Sequence, residues 1–411
     1  MPDPEHARPG RPHLARDNQQ WIFDYVIQQT GLTYHWWGEE RSLPPEIRSH
    51  AMISKHLGMR ALEKEREAAQ IAAGGDRQAA LSAYVSAAQG FLRAQHPVFE
   101  LNAEKRFLYD GLQRCYERVR ELAPYRIERV EADWEGTQVG GWLHINPDVV
   151  GPAPLLFLVP GCDTTSEGAP NPANVKEFAR GWHVFSFDGP GIGRSNMRGI
   201  ALTADNFERA ASGVLDVLLT HTEIDPQQVA VFGAGAGSHW ATRFAAHDRR
   251  VAAVATKSTY SPLYYLMNED SPRYKQLFAF LTQATSEEQL DATLEAMSLD
   301  GLVAQITCPF LMVTGEYDLR DPVEEVLRIF DQVTAPAELW IFADSFHKTR
   351  FADGSGTYQP TLDWLSDRLA GVAMPDANQV RYIEPTALRP WGDGVSLKRH
   401  WYEDGQPVTR A

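Results

Sequence analysis

Cysteine is scarce: three in 411 residues, Cys115, Cys162 and Cys308, widely spaced and in no CxxC or Cys/His cluster. An odd, scattered set gives neither a disulfide framework nor a structural zinc site, and no metal is expected. Basic charge is also short, 39 Lys and Arg against 54 Asp and Glu, for a net charge of −15. That field repels phosphate backbones and anionic lipid, so neither nucleic acid nor a membrane is an expected partner. No run of about 18 apolar residues occurs, as a membrane-spanning helix would need. The opening residues lack the apolar stretch of a secretory signal, so the expected location is the cytoplasm, with a disordered tail over residues 1–17.

What is present is a globular composition, 43% hydrophobic and 23% charged, in a chain long enough for one large domain with an insertion or for two domains. From Trp21 to about Ala123 the apolar period is helical. Leu81, Tyr84, Val85, Ala88 and Phe91 form one stripe, and Leu108, Leu112, Cys115, Val119 and Leu122 another. Gly74-Gly75, Pro97 and Pro124 punctuate the helices, and no strand-like run is evident among them. A helical cap over 18–124 is expected. Its aromatic residues, Trp36 and Trp37 among them, either pack internally or line a pocket beneath the cap.

After Pro124 the period changes to two, from Tyr125 to Ala132 and from Val139 to Ile145, with the turn-prone Trp134-Glu-Gly-Thr between them. Short apolar runs then alternate with helical segments: Leu155–Val159, Trp182–Phe187, Val229–Phe232, Val251–Ala255, Phe310–Thr314 and Glu338–Phe342. Apolar runs linked by helices imply an α/β protein, a mostly parallel sheet of about eight strands covered on both faces. The core is expected over 125–374. A Tyr-, Met- and Phe-rich stretch without strands, 258–300, interrupts it as a second cap element, with Tyr260 and Tyr264 as candidate pocket residues. The extension 375–411 has no strong pattern.

The chemistry concentrates in three places. Val229-Ala-Val-Phe-Gly-Ala-Gly-Ala-Gly-Ser-His runs from a strand through a tight turn into a helix. That is the setting of a nucleophile elbow, G-x-S-x-G, whose outer glycines permit the sharp turn. Gly233 and Gly237 take the outer places and Gly235 falls where the serine belongs. Gly233, Gly235 and Ser238 nearly fit a dinucleotide-binding G-x-G-x-x-G. Too many strands precede them, and no acidic residue follows at the required distance, so no nucleotide cofactor is expected.

Asp318 follows the strand Phe310–Thr314, and His347 follows Glu338–Phe342. Singly, a loop Asp is a turn residue and a lone His is structural. In the order nucleophile position, acid, base, each after its own strand, they match a hydrolase triad. Val159-Pro-Gly-Cys-Asp-Thr-Thr-Ser-Glu lies after the first parallel strand, where oxyanion-binding N–H groups belong. Cys162 and Ala236 are the candidate donors. Cys162 as a substitute nucleophile and Ser238 as a displaced one are weaker alternatives, and His239 is a candidate substrate contact. Phe187-Asp-Gly-Pro-Gly-Ile-Gly-Arg-Ser reads as a structural turn, not a phosphate cradle.

Together these motifs, with the helical N-terminal segment, resemble α/β-hydrolases related to 2,6-dihydroxypseudooxynicotine hydrolase and to fungal polyketide-shortening hydrolases of melanin synthesis. The resemblance covers roughly Trp21 to Ala370. It implies an α/β-hydrolase fold, cleavage of a carbon–carbon bond beside a ketone, Asp318 and His347 as triad acid and base, and Cys162 and Ala236 as oxyanion donors. Gly235 departs from the family's serine. It reflects an engineered inactivation, an enzyme working non-covalently through His347, or a ligand-binding pseudoenzyme. The expected partner is a small ketone, a 1,3-dicarbonyl or polyketide-like molecule. A cyclase or dehydratase using His347 as base is the alternative, and a homodimer is allowed for.

Overall fold

The computed structural model describes residues 20–33, 41–259, 272–374 and 378–388. The tail 1–17 and the candidates Trp36, Trp37, Tyr260 and Tyr264 lie outside the described residues.

The sheet begins with β1 (Ile127–Trp134) and β2 (Thr137–His144), antiparallel in the register Val130 to Gly141. Glu135 and Gly136 join them with φ of 46° and 84°, the doubly left-handed turn whose twist suits a two-residue hairpin. There follow β3 (Ala153–Val159), β4 (His183–Asp188), β5 (Ile224–Ala234), β6 (Val251–Lys257), β7 (Phe310–Gly315), β8 (Ala337–Phe342) and β9 (Gln379–Ile383). Their spatial order is β1-β2-β4-β3-β5-β6-β7-β8-β9, parallel from β4 onward. Both faces are covered. Leu155 and Phe157 join the cluster of Phe187, Phe207, Trp240 and Phe244, while Leu156 and Leu158 join that of Trp340, Phe342 and Trp364. Period-two alternation into two cores is why β3 has no polar residue. Each such side chain contributes about 1.5–3 kcal/mol by leaving water.

Among the described residues four α-helices precede the sheet: α1 (Gln20–Thr30), α2 (Ile53–Ala73), α3 (Arg77–Gln95) and α4 (Ala103–Leu122). Asp76 and Asn102 cap the last two by accepting the N–H groups of Ala79 and Lys105, each at 2.9 Å. Tyr84, Ala88, Phe91, Leu108, Leu112 and Val119 form one core with Ile127 and Trp142 of the sheet. Tyr116 packs against Trp142, the two rings tilted by 39° with centroids 5.0 Å apart. The helical segment is thus anchored on the antiparallel hairpin.

One expectation needs correction. The first third does contain strands, Leu32–Thr33 paired with Arg41–Ser42, each too short to show a period. The sheet, expected at about eight strands, has nine among the described residues, part of the C-terminal extension forming β9. Gln-Val-Arg-Tyr-Ile is short and half polar, as an edge strand can be, and Arg381 pairs with Glu338 at 3.3 Å.

Candidate active site

At the end of β5, Gly235 takes φ 58° and ψ −132° immediately before the helix Ala236–His247. A side chain there would cost strain. The flanking glycines answer to close approach: a Cβ on Gly233 would lie 2.3 Å from Gly237 O, and one on Gly237 2.2 Å from Val159 O. Gly235 N–H donates to Lys257 O at 2.9 Å. Ser238 is fully buried, its Oγ 2.9 Å and 2.6 Å from the carbonyls of Gly233 and Lys257, and it accepts Lys257 N–H at 3.0 Å. It braces the elbow against β6. Ala236 and His239 are buried on the same helix.

The loops after β7 and β8 pack against each other, Tyr317 N–H donating to Ser345 O at 2.9 Å. His347 Nδ1 thereby comes within 2.8 Å of Asp318 Oδ2. Ser258 Oγ donates to the same oxygen at 3.0 Å, and Arg320 N–H to Asp318 Oδ1 at 3.0 Å. Burial pushes the Asp318 carboxyl up, but the bond and charge of His347, with the Arg320 and Ser258 bonds, outweigh it and hold it below its ordinary value. A carboxylate on Nδ1 fixes the imidazole tautomer that carries its lone pair on Nε2. Ser258 sits at φ 60° and follows Lys257, so a chain of bonds runs from Gly235 through Lys257 and Ser258 to Asp318 and His347.

Cys162 lies in the loop after β3, which reaches the elbow: a Cβ on Gly161 would be 3.2 Å from Ala234 O. Burial and the Asp163 charge push the Cys162 thiol well above its usual range, against a weaker pull from Arg320. A thiol so held is a poor nucleophile.

Two buried carboxylates fix this loop. Glu167 accepts from Thr165 Oγ1 at 2.5 Å, Gln113 Nε2 at 2.7 Å and Trp142 Nε1 at 3.0 Å. Asp188 accepts the N–H groups of Ser166 at 2.7 Å and Arg194 at 3.0 Å. The Gly-rich turn after β4 therefore clasps a carboxylate, in keeping with a structural role. Burial and the Glu167 charge raise the Asp188 carboxyl.

Sequence reasoning missed Glu167, Asp188 and Ser258, whose roles depend on neighbours from other elements. It also missed Arg320, buried and 5.0 Å above the Tyr274 ring. Among the described residues no group of His, Cys, Asp and Glu is placed to hold a metal, and no helix is long and apolar enough to cross a membrane.

A model of the prolyl oligopeptidase family matches residues 202–371. The chain is 29% identical over 260 residues to 2,6-dihydropseudooxynicotine hydrolase of Paenarthrobacter nicotinovorans, covering 62% of this chain and 68% of that one. It is 28% identical over 227 residues to the alpha/beta hydrolase ucsC of an Acremonium species, covering 50% of this chain and 46% of the relative. The chain thus spans about half the length of that fungal relative. The crystal structure of 2,6-dihydroxy-pseudo-oxynicotine hydrolase matches 87% of this chain and 98% of its own, with a TM-score of 0.70 at 24% identity, a likeness of fold. The chain has the α/β-hydrolase fold and is related to 2,6-dihydropseudooxynicotine hydrolase and to fungal α/β-hydrolases.

Proposed function

We propose that the chain is an enzyme acting on a carbon–carbon bond beside a ketone, in a small 1,3-dicarbonyl or polyketide-like substrate, with His347 as general base and no covalent acyl intermediate. The observation that carries this reading is the His347–Asp318 pair at 2.8 Å, joined by hydrogen bonds to an elbow that has the nucleophile's backbone but no side-chain oxygen. Relatedness to hydrolases favours an enzyme over a binding module, and an oriented imidazole has no purpose in a mere pocket.

A 1,3-dicarbonyl suits such a site. His347 Nε2 takes a proton from water, whose oxygen attacks one carbonyl carbon while the N–H groups of Cys162 and Ala236 stabilise the oxyanion. The bond to the central carbon then breaks. Its electron pair leaves as the enolate of the second carbonyl, which the imidazolium protonates, giving a carboxylic acid and a ketone.

The test is turnover of a panel of 1,3-diketones, including 1-phenylbutane-1,3-dione, in ¹⁸O-water with mass analysis of products. One ¹⁸O atom in the carboxylic acid is expected. A product without label, isomeric with or dehydrated from its substrate, would replace hydrolysis by cyclisation or dehydration. Binding without conversion across the panel would leave a ligand-binding protein.

A further inference from the structure

A second polar centre lies where the helical segment, the loop after β3 and the helix Pro272–Thr282 meet. They enclose a cavity of about 30 Å³ lined by Lys105, Tyr109, Cys162, Asn196 and Phe280, among others. Lys105 is 6% exposed, Tyr109 6% and Asn196 3%. A lysine ammonium carries three donors. The described residues give Lys105 Nζ one acceptor, the Gln95 carbonyl at 3.0 Å, and the face of the Phe280 ring at 5.0 Å. No carboxylate among them pairs with it. Tyr109 Oη and both polar atoms of the Asn196 amide are buried with no hydrogen-bond partner.

Buried polar groups are nearly always satisfied, and unsatisfied ones gathered in one place call for an explanation. Here three buried side chains, each able to donate, converge on one small space beside Cys162. The Asp163 carboxylate also lines the cavity, and the charges of Glu167, Asp188, Arg129 and Arg194 act on the Tyr109 phenol. Burial, helped by the Lys105 charge, lowers His96 to about 3, and burial raises the Tyr109 phenol well above its ordinary value. Burial also brings the Lys105 amine down to about 7, as expected of an ammonium without a counter-ion.

We propose that Lys105, Tyr109 and Asn196 form an oxygen-binding subsite that holds the second carbonyl of the substrate, the one whose oxygen becomes the enolate when the carbon–carbon bond breaks. The assignment of that oxygen rests on the cleavage reading above. Three donors suit an oxygen that gains negative charge. The volume admits an oxygen and its carbon but not a ring, since about 10–15 Å³ of such space holds one water. The position beside Cys162 leaves the first carbonyl to the backbone N–H groups near the elbow. Lys105, Tyr109 and Asn196 are binding residues here, and the proton chemistry stays with His347.

The rival reading is structural, with Lys105 capping the last carbonyl of α3. The two differ in stability. Replacing a buried unpaired cation by an isosteric apolar chain is neutral or stabilising, whereas loss of a needed cap lowers the melting temperature.

The experiment measures binding of 1-phenylbutane-1,3-dione by calorimetry, with melting temperatures, for the wild type, Lys105→Met, Tyr109→Phe and His347→Gln. Expected are binding weakened about 10- to 100-fold in Lys105→Met and less in Tyr109→Phe, no loss of melting temperature in Lys105→Met, and retained binding in His347→Gln. Unchanged affinity in both subsite variants, a clearly lower melting temperature in Lys105→Met, or no binding by the wild type overturns the subsite. Lys105-dependent binding without cleavage by the wild type supports the subsite and removes the cleavage reading. Cleavage with Lys105-independent binding does the reverse.

Discussion

Asp318 Oδ2 takes two donors at once, His347 Nδ1 at 2.8 Å and Ser258 Oγ at 3.0 Å. The serine leaves the carboxylate one orientation, so the imidazole is held from two elements. Asp318→Asn keeps the shape but presents an amide, which favours the wrong tautomer of His347. Turnover should fall by up to about 10⁴-fold with the fold intact. Turnover and circular dichroism measured on the same sample check this; undiminished turnover would remove Asp318 from the account.

Gly235→Ser places a hydroxyl where the elbow backbone would present it. Serine at φ 58° and ψ −132° should lower stability by about 1–3 kcal/mol and confer an acyl-enzyme burst with an activated ester such as p-nitrophenyl acetate. The wild type should show no burst. If both are inert and folded, Gly235 is not the nucleophile position.

Cys162→Ser retains the backbone N–H and removes only a thiol that burial holds protonated. Turnover should persist, and the wild-type thiol should resist iodoacetamide at neutral pH. A loss of about 100-fold or more would make Cys162 the nucleophile.

Acid should be the weak side of the fold. His144 is fully buried between the hydroxyls of Tyr116 and Tyr125, at 3.2 Å and 3.1 Å, and burial lowers it to about 3 from 6.5. Between those values the unfolded chain binds a proton that the native one refuses. This contribution is therefore present above about pH 6.5 and lost as pH falls toward 3. His144→Gln should cost stability at pH 7, and the gap in urea midpoint between it and the wild type should narrow by pH 4.5. A constant gap would contradict a neutral buried imidazole.

The sheet was legible because its strands are apolar on both faces: Leu155 to Val159 has no polar residue, and helices must then cover it. The elbow was legible from three spaced glycines after a strand, and Asp318 and His347 from their places after consecutive strands. Glu167 and Asp188 looked like ordinary loop charges, since their burial is made by Trp142, Gln113 and backbone N–H groups far away in sequence. Lys105 did leave a signal. It precedes Leu108, Leu112, Cys115 and Val119 at helical spacing, and a cation in line with an apolar stripe is out of place unless something polar awaits it. β9 left almost none, because its alternation, with Gln379 and Arg381 polar, runs for only five residues at an edge.

The most direct test of the central claim is the turnover of a 1,3-diketone by the wild type and by His347→Gln, each assayed for product by chromatography at the same enzyme concentration. A general base oriented by Asp318 predicts that the variant loses about 10²–10⁴-fold in rate while binding the diketone as the wild type does. Equal rates in the two proteins would contradict the account and put the chemistry elsewhere in the pocket.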